Sequence, residues 1–294
     1  MRSQDLARLV ALGAMWGGSY LFMRVAVPHL GSALMIELRV LVAGVLLAIA
    51  LFAGGRRPDW RRHWRAWLFA GVVGTAVPFM LIAEAVRTID ASTAAILNAL
   101  VPLFTTMVAA LWIRDRITPP KAAGILLSLA GTGVLVGWTP TPMSAGELLA
   151  ASMSVTATIL YGINIVFSRV HLRDAPPIAT SAVSLLLAAL VLAPFTPLDR
   201  NLAAVPMSAW MAMLGLAIVS TTVAFIYYYR LIADIGPVKA STVTLLVPVF
   251  GMVWGVLFLG EPVTPGRVAG CAIILFGCSM ILGLVRLPAG RPAA

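Results

Sequence analysis

The chain has 294 residues, of which 61% are hydrophobic and 11% charged, and its net charge is +10. Soluble domains carry about 25% charged residues, so this composition excludes an ordinary soluble enzyme or nucleic-acid-binding domain and points to a polytopic membrane protein. The basic excess falls in short segments between apolar runs, where it reads as a topology signal rather than as a nucleic-acid surface.

A membrane-crossing helix needs about 20 mostly apolar residues. Ten such stretches can be threaded, at roughly 6–27, 31–53, 64–86, 91–113, 118–138, 145–168, 175–196, 207–229, 237–259 and 265–286. Breakers separate them: Pro28-His29, Gly54-Gly55, Pro119-Pro120, Pro140-Thr141-Pro142, Pro176-Pro177, Gly236-Pro237 and Pro262. Residues 1–22 could pass for a signal peptide, but their counterpart deep in the second half identifies them as a retained first span. The predicted fold class is therefore all-α, with ten transmembrane helices and no soluble domain.

Taken in chain order, the spans carry few polar groups in an apolar background. Span 1 has Trp16, Ser19, Tyr20 and Arg24, and span 2 has Glu37 and Arg39. Span 3 has Thr75, Pro78, Phe79 and Glu84, and span 4 has Thr93, Asn98 and Pro102. Span 6 has Tyr161 and Asn164, span 8 has Thr221, Thr222 and Tyr227, and span 9 has Ser241, Thr244 and Pro248. Cys271 and Cys278 lie seven apart in span 10, too far along one rod to bridge, and read as small packing residues.

The second half repeats the first at an offset of about 145 residues. Trp16-Gly17 and Arg24 recur as Tyr161-Gly162 and Arg169, and Pro102 and Phe104 as Pro248 and Phe250. Asp115, Thr118, Pro119, Gly124, Gly131 and Gly137 recur as Glu261, Thr264, Pro265, Gly270, Gly277 and Gly283. We divide the chain into residues 1–140 and 141–294, five spans each; an odd number per copy inverts the second relative to the first, the architecture of a secondary transporter with its site at the repeat interface. With the N-terminus in the cytoplasm, sixteen Arg and Lys fall on the inner side: Arg2, Arg8, Arg56, Arg57, Arg61, Arg62, Arg65, Arg114, Arg116, Lys121, Arg169, Arg173, Arg230, Lys239, Arg286 and Arg291. Three fall outside, Arg87, Arg200 and Arg267, which places both termini inside. Trp60, Trp64, Trp67 and Trp112 would mark the inner interface and Trp138 and Trp210 the outer. The pairs Gly13/Gly17, Gly133/Gly137 and Gly251/Gly255 would let helices approach closely.

No enzyme constellation is visible. His29, His63 and His171 lie in predicted loops without metal-ligand spacing. Neither a nucleophile elbow nor a phosphate-binding Gly-Lys-Ser/Thr loop occurs. The chain is thus expected to have no catalytic residue, metal or cofactor, and transport would draw on a substrate gradient, exchange or an ion. The candidate substrate-binding set is Trp16, Ser19, Tyr20, Phe79, Asn98, Pro102, Tyr161, Asn164, Thr222, Tyr227, Ser241, Thr244 and Pro248: aromatic surface and a few polar groups converging in an apolar wall. Pro102 and Pro248 would flank the cavity and permit bending. The intramembrane charges Arg24, Glu37, Arg39 and Glu84 are costly and hence gate or coupling candidates. Glu37 and Arg39 point to nearly opposite faces, so Arg24–Glu37 and Arg39–Glu84 are the expected pairs. Asp115 and Glu261 would cap the helices that follow them.

Gly236-Pro237…Ala240…Pro248…Leu257-Phe258-Leu259-Gly260-Glu261…Gly270…Gly277 resembles the EamA repeat of the drug/metabolite transporter superfamily. The first copy is similar but looser, with Trp16-Gly17-Gly18-Ser19, Arg39, Ala94…Pro102 and Gly124…Gly131, and Ile113-Arg114-Asp115 where Leu-Gly-Glu is usual. The resemblance covers nearly the whole chain. It implies a multi-pass inner-membrane carrier whose central cavity is lined by spans 1, 3, 4, 6, 8 and 9, and whose relatives export amino acids, amphipathic drugs and other metabolites. Small four-span members use a carboxylate in span 1, and none stands between Leu6 and Val27 here. The general likeness is to exporters of neutral and aromatic amino acids. The alternative is an exporter of cationic drugs or other metabolites by proton exchange; a channel and a membrane-embedded lipid enzyme are the remaining classes. The implied partners are a small-molecule substrate and the lipid bilayer, with no nucleic acid, and a monomer is the expected state.

Overall fold

The structure is a computed structural model that describes residues 3–55, 57–137, 142–196 and 202–285. Arg2, Arg56, Arg200, Arg286, Arg291, Trp138, Pro140 and Thr141, used above as topology and breaker signals, lie outside the described residues. Among the described residues ten helical rods follow one another: α1 (Ser3–Leu30), α2 (Ser32–Ala53), α3 (Trp60–Ala85), α4 (Ala91–Trp112), α5 (Pro119–Gly137), α6 (Ala145–His171), α7 (Pro177–Phe195), α8 (Met207–Ile235), α9 (Val243–Leu259) and α10 (Pro265–Ile281). Eight are long and apolar enough to cross a membrane; α9 and α10 are shorter, and α9 is preceded by a turn of helix at Pro237–Ala240. The chain is a polytopic all-α membrane protein. Five rods precede the midpoint and five follow, so equivalent helices run in opposite directions. The face holding the start of α1 is called the first face below, the other the second.

The packing follows the glycines. α1 lies against α8 and α9, α2 against α7, α3 against α6 and α7, and α5 against α10 at the periphery. A Cβ at Gly17 would stand 2.8 Å from Gly251 N and 2.9 Å from Val247 O of α9. Gly13 meets Leu246, and Gly251 and Gly255 meet Ala95 and Ser92 of α4. These two pairs are thus contact glycines. Gly133 and Gly137 are not, since nothing lies within 4 Å of a Cβ at either. Gly17→Ala is therefore expected to cost about 1–3 kcal/mol by overpacking against backbone, whereas Gly133→Ala should gain about 0.5–1 kcal/mol through helix propensity. Thermal unfolding of the two variants in detergent measures the contrast.

Both halves reuse two local devices. α9 ends on Gly260 at φ +65, and Glu261 N bonds Gly255 O at 3.1 Å. At the equivalent place after α4, Arg114 takes φ +56 and Asp115 N bonds Ala109 O at 3.2 Å. The departure from Leu-Gly-Glu in the first half therefore keeps the same turn, with a side chain forced into left-handed backbone. The second device is a π-helical turn inside α3 (Val72–Ala76) and inside α8 (Ile218–Val223). Thr75 Oγ1 donates to Ala70 O and Thr221 Oγ1 to Leu216 O, each five residues back, satisfying carbonyls that the wide turn releases.

Several expectations are corrected. Trp67 is fully buried and donates to Thr180 Oγ1 at 3.3 Å, so it belongs to the core and not to an interfacial belt; Trp60, Trp64 and Trp112 are exposed. His29, His63 and His171 lie in the terminal turns of α1, α3 and α6 rather than in loops. Cys271 and Cys278, in contrast, are free and buried as expected of packing residues, and Cys278 donates to Ala99 O at 3.1 Å.

Candidate substrate cavity

A cavity of about 380 Å³ lies in the middle of the bundle, within the size range of small-molecule sites. α1 contributes Trp16, Ser19, Tyr20 and Met23; α3 contributes Ala70, Gly74, Thr75, Phe79 and Ile82; α4 contributes Asn98 and Val101. From the second half come Tyr161, Asn164, Ile165 and Ser168 of α6, Ser220, Thr221, Phe225 and Tyr228 of α8, and Thr244 and Val247 of α9. These are the six helices that sequence reasoning named. Two more take part: α2 through Arg39, and α7 through Thr180, Ser181, Ser184 and Leu185.

The aromatic walls brace one another. Trp16 sits 5.2 Å from Tyr228 and 6.4 Å, edge-on, from Phe225; Phe79 meets Tyr161 edge-on at 6.4 Å. Tyr229, behind them, is hydrogen-bonded to Ser181 and joins α8 to α7. The polar groups are mainly hydroxyls and amides. Asn98 Oδ1 and Ser184 Oγ are buried without a hydrogen-bond partner among the described residues.

Arg39 is the charged residue in the wall. It is 6% exposed, its Nε donates to Thr221 Oγ1 at 3.1 Å, and its Cζ lies 3.8 Å over the Phe79 ring. It forms neither of the ion pairs expected of the intramembrane charges. Arg24 instead donates to Val86 O and Ile89 O, tying α1 to the α3–α4 connection. Glu84 accepts from Ser32 Oγ at 2.6 Å and pairs with Arg87 at 3.2 Å. Glu37 is half-buried on the α2 face continued by Leu41 and Val45, which are exposed, and it lies away from the cavity. The sequence grouped these four charges because they share a depth; helix rotation separates them into one cavity residue, two ties at the second face and one outward carboxylate.

Of the thirteen candidate binding residues, Trp16, Ser19, Tyr20, Phe79, Asn98, Tyr161, Asn164 and Thr244 line the cavity. Pro102, Thr222, Tyr227, Ser241 and Pro248 do not. Val101 and Val247 hold the wall where Pro102 and Pro248, both buried, face neighbouring helices. α4 is interrupted at Ala99–Leu100 just before Pro102, whereas α9 continues through Pro248. Thr222 donates to Ala217 O, and Ser220 and Thr221 take the wall in its place. Tyr227 packs near Leu9 and Leu12, and Tyr228 is the ring that faces inward. Ser241 sits in the turn before α9. Thr222 and Tyr227 are one-residue errors of helix phase, Pro102 and Pro248 are prolines read by their own side chains instead of their neighbours', and Ser241 lies outside the α9 rod. The missed wall residues Ser181 and Ser184 do carry a signal: they lie three apart on one face of α7, which besides them and Thr180 is apolar.

The cavity is sealed on one side. Beyond Met23 on α1 and Ile82 on α3, Val27, Leu30, Ala85 and Val86 are all buried, so packed side chains fill the space toward the second face. Toward the first face the lining continues to Ser168 and Thr180, each within a turn of the end of its helix, and Ile165 is 46% exposed. At the second face, Glu261 caps α4: its carboxylate accepts from Ala91 N at 2.7 Å, from Ser92 N at 3.0 Å and from Ser92 Oγ. It does not cap α10, whose cap is Thr264 accepting from Arg267 N at 3.2 Å. Arg267 pairs with Asp90 beside it. Asp115, expected to act likewise, pairs with Lys121 at 3.6 Å.

The EamA-like transporter family matches two stretches, residues 6–137 and 148–283. The chain belongs to the EamA-like transporter family. Members and the named relatives are transporters and not enzymes. An uncharacterized transporter of Archaeoglobus fulgidus is 23% identical, over 91% of this chain and 94% of that protein. An uncharacterized inner membrane transporter of Escherichia coli K12 is 26% identical, over 96% and 92%. A probable terminal-alkyne amino-acid exporter of Streptantibioticus cattleyicolor is 24% identical, over 95% and 93%. A protein of known crystal structure superposes with a TM-score of 0.66 at 21% identity, over 95% of this EamA-like transporter and 96% of that chain, which is a likeness of fold. For an EamA-like transporter the cavity is the place to seek a small-molecule substrate, and the apolar exterior is its bilayer contact.

Proposed function

We propose that this transporter is an alternating-access carrier in the inner (cell) membrane that exports a small amphipathic metabolite, with neutral and aromatic amino acids as the favoured class. One observation carries the reading: a central cavity walled by aromatic rings and hydroxyl or amide groups from both halves, sealed toward the second face and lined as far as the first. A channel would need a path through both faces. The Arg-rich first face is assigned to the cytoplasm, so the cavity is loaded from inside. Residues 1–140 and 141–294 then act as two halves that rock about it. The ties of Arg24 and Glu84 and the Glu261 cap serve as the gate at the outer face, and must loosen for release. The probable amino-acid exporter among the relatives agrees with the substrate class. Export of cations by proton exchange is disfavoured, because no carboxylate of the described residues lines the cavity.

Labelled amino acids loaded into liposomes with the purified protein test this. The expected result is efflux that saturates and is accelerated by unlabelled amino acid on the far side. Efflux rising linearly with concentration would indicate a channel. Cysteines introduced near each terminus should be labelled from the same, cytoplasmic side.

A further inference from the structure

We propose that Arg39 is the anchor for an anionic group on the substrate, so that the cavity takes amphipathic carboxylates, amino acids among them, and rejects amines that lack an acid group. The proposal rests on the carrier reading above and specifies the chemistry of its site. Three observations support it. Arg39 lies seven residues into α2, about 10 Å along the axis, and is buried in the cavity wall. Its charge is uncompensated: no Asp or Glu of the described residues pairs with it, and Glu84, the nearest expectation from sequence, is bonded to Ser32 and Arg87. A buried unpaired guanidinium is costly, and an anionic ligand relieves that cost. Its Nε is engaged by Thr221, while neither Nη group bonds a protein acceptor among the described residues. The donating fork that suits a carboxylate is thus left for a ligand.

The fork is also held in place. Phe79 stacks beneath the guanidinium at 3.8 Å, and Thr221 fixes Nε from a hydroxyl that the α8 π-turn orients. Little side-chain freedom remains to be lost on binding. Tyr161, edge-on to Phe79, places aromatic surface beside the fork. A ligand with a carboxylate on a flat or branched apolar body therefore meets charge and ring together. An ammonium finds no carboxylate in this wall, only ring faces and neutral oxygens, so it is tolerated and not required.

Three probes that share a phenyl ring separate these contributions: L-phenylalanine, 3-phenylpropanoate, which lacks the amine, and phenethylamine, which lacks the acid. In liposomes containing the full chain, the two carboxylates should show saturable flux and compete with each other, and phenethylamine should neither move nor compete. Arg39→Gln should raise the apparent KM of both carboxylates at least tenfold. Arg39→Lys, which keeps the charge and loses the fork, should fall between, and Thr221→Val should produce a smaller rise. Melting temperature and monodispersity of each variant in detergent identify a folding defect, and the three-probe comparison in the unaltered protein needs no variant. Saturable phenethylamine flux, or carboxylate KM values that stay within twofold in Arg39→Gln, would overturn the anchor and leave the carrier reading standing. No saturable flux for any of the three would overturn both.

Discussion

Trp16→Ala and Tyr161→Ala are each expected to lower saturable flux by about tenfold or more, which corresponds to roughly 1.4 kcal/mol of lost interaction, while the protein accumulates normally in the membrane. An aromatic side chain offers 150–250 Å² of surface, so truncation removes most of the flat wall on that side. Both rings are partly exposed to the cavity and braced by other rings rather than enclosed in the core: Trp16 by Tyr228 and Phe225, and Tyr161 by Phe79. Tyr161→Phe keeps the wall and should keep most of the flux. Leu126→Ala supplies the control, because Leu126 is 68% exposed on α5, a helix that gives the cavity nothing. Equal flux loss in Leu126→Ala and Tyr161→Ala would show that the assay reads general damage and not a lined site.

Glu261→Ala should destabilise the fold strongly. The carboxylate is 7% exposed and accepts three hydrogen bonds at the start of α4. Its removal leaves two backbone donors and a hydroxyl without partners and removes a negative charge from a helix N-terminus. Unsatisfied buried donors cost about 1–3 kcal/mol each, and water at the second face can reach only some of them, so a total of roughly 2–4 kcal/mol is expected. Thermal unfolding in detergent should show a melting point several degrees lower, and Glu261→Gln should recover part of the loss because the amide oxygen still accepts. Asp115→Ala, at the repeat-related position, should change little: Asp115 is half exposed and, among the described residues, pairs with Lys121 alone at 3.6 Å. Equal destabilisation by the two alanine variants would rule out the capping role.

That contrast bears on how far an internal repeat can be read. The Gly260 and Arg114 turns match across the halves, and so do the π-turns that hold Thr75 and Thr221. The carboxylates just after those turns do not match, because Glu261 reaches the neighbouring α4 whereas Asp115 stays at the surface. Local backbone devices are inherited with the sequence motif. Partners across helices depend on what each half packs against, and the two halves are no longer identical there.

The ten apolar rods, their breakers and the duplication are legible along the chain, because hydropathy and small-residue spacing act locally and the bilayer enforces them throughout; the central cavity is expected from the inverted repeat and the family resemblance. Eight of the wall residues are also legible there, as polar or aromatic side chains in apolar spans. The tertiary structure alone decided helix phase and partners: Tyr228 faces inward instead of Tyr227, Val101 and Val247 form the wall beside buried prolines, and Ser181 and Ser184 join from α7. It alone parted Arg39 from Glu84 and gave its Nε to Thr221, 182 residues away. A helix turns by about 100° per residue, so a shift of one position moves a side chain from cavity to core, and that angle is set by contacts with other helices that no single span encodes.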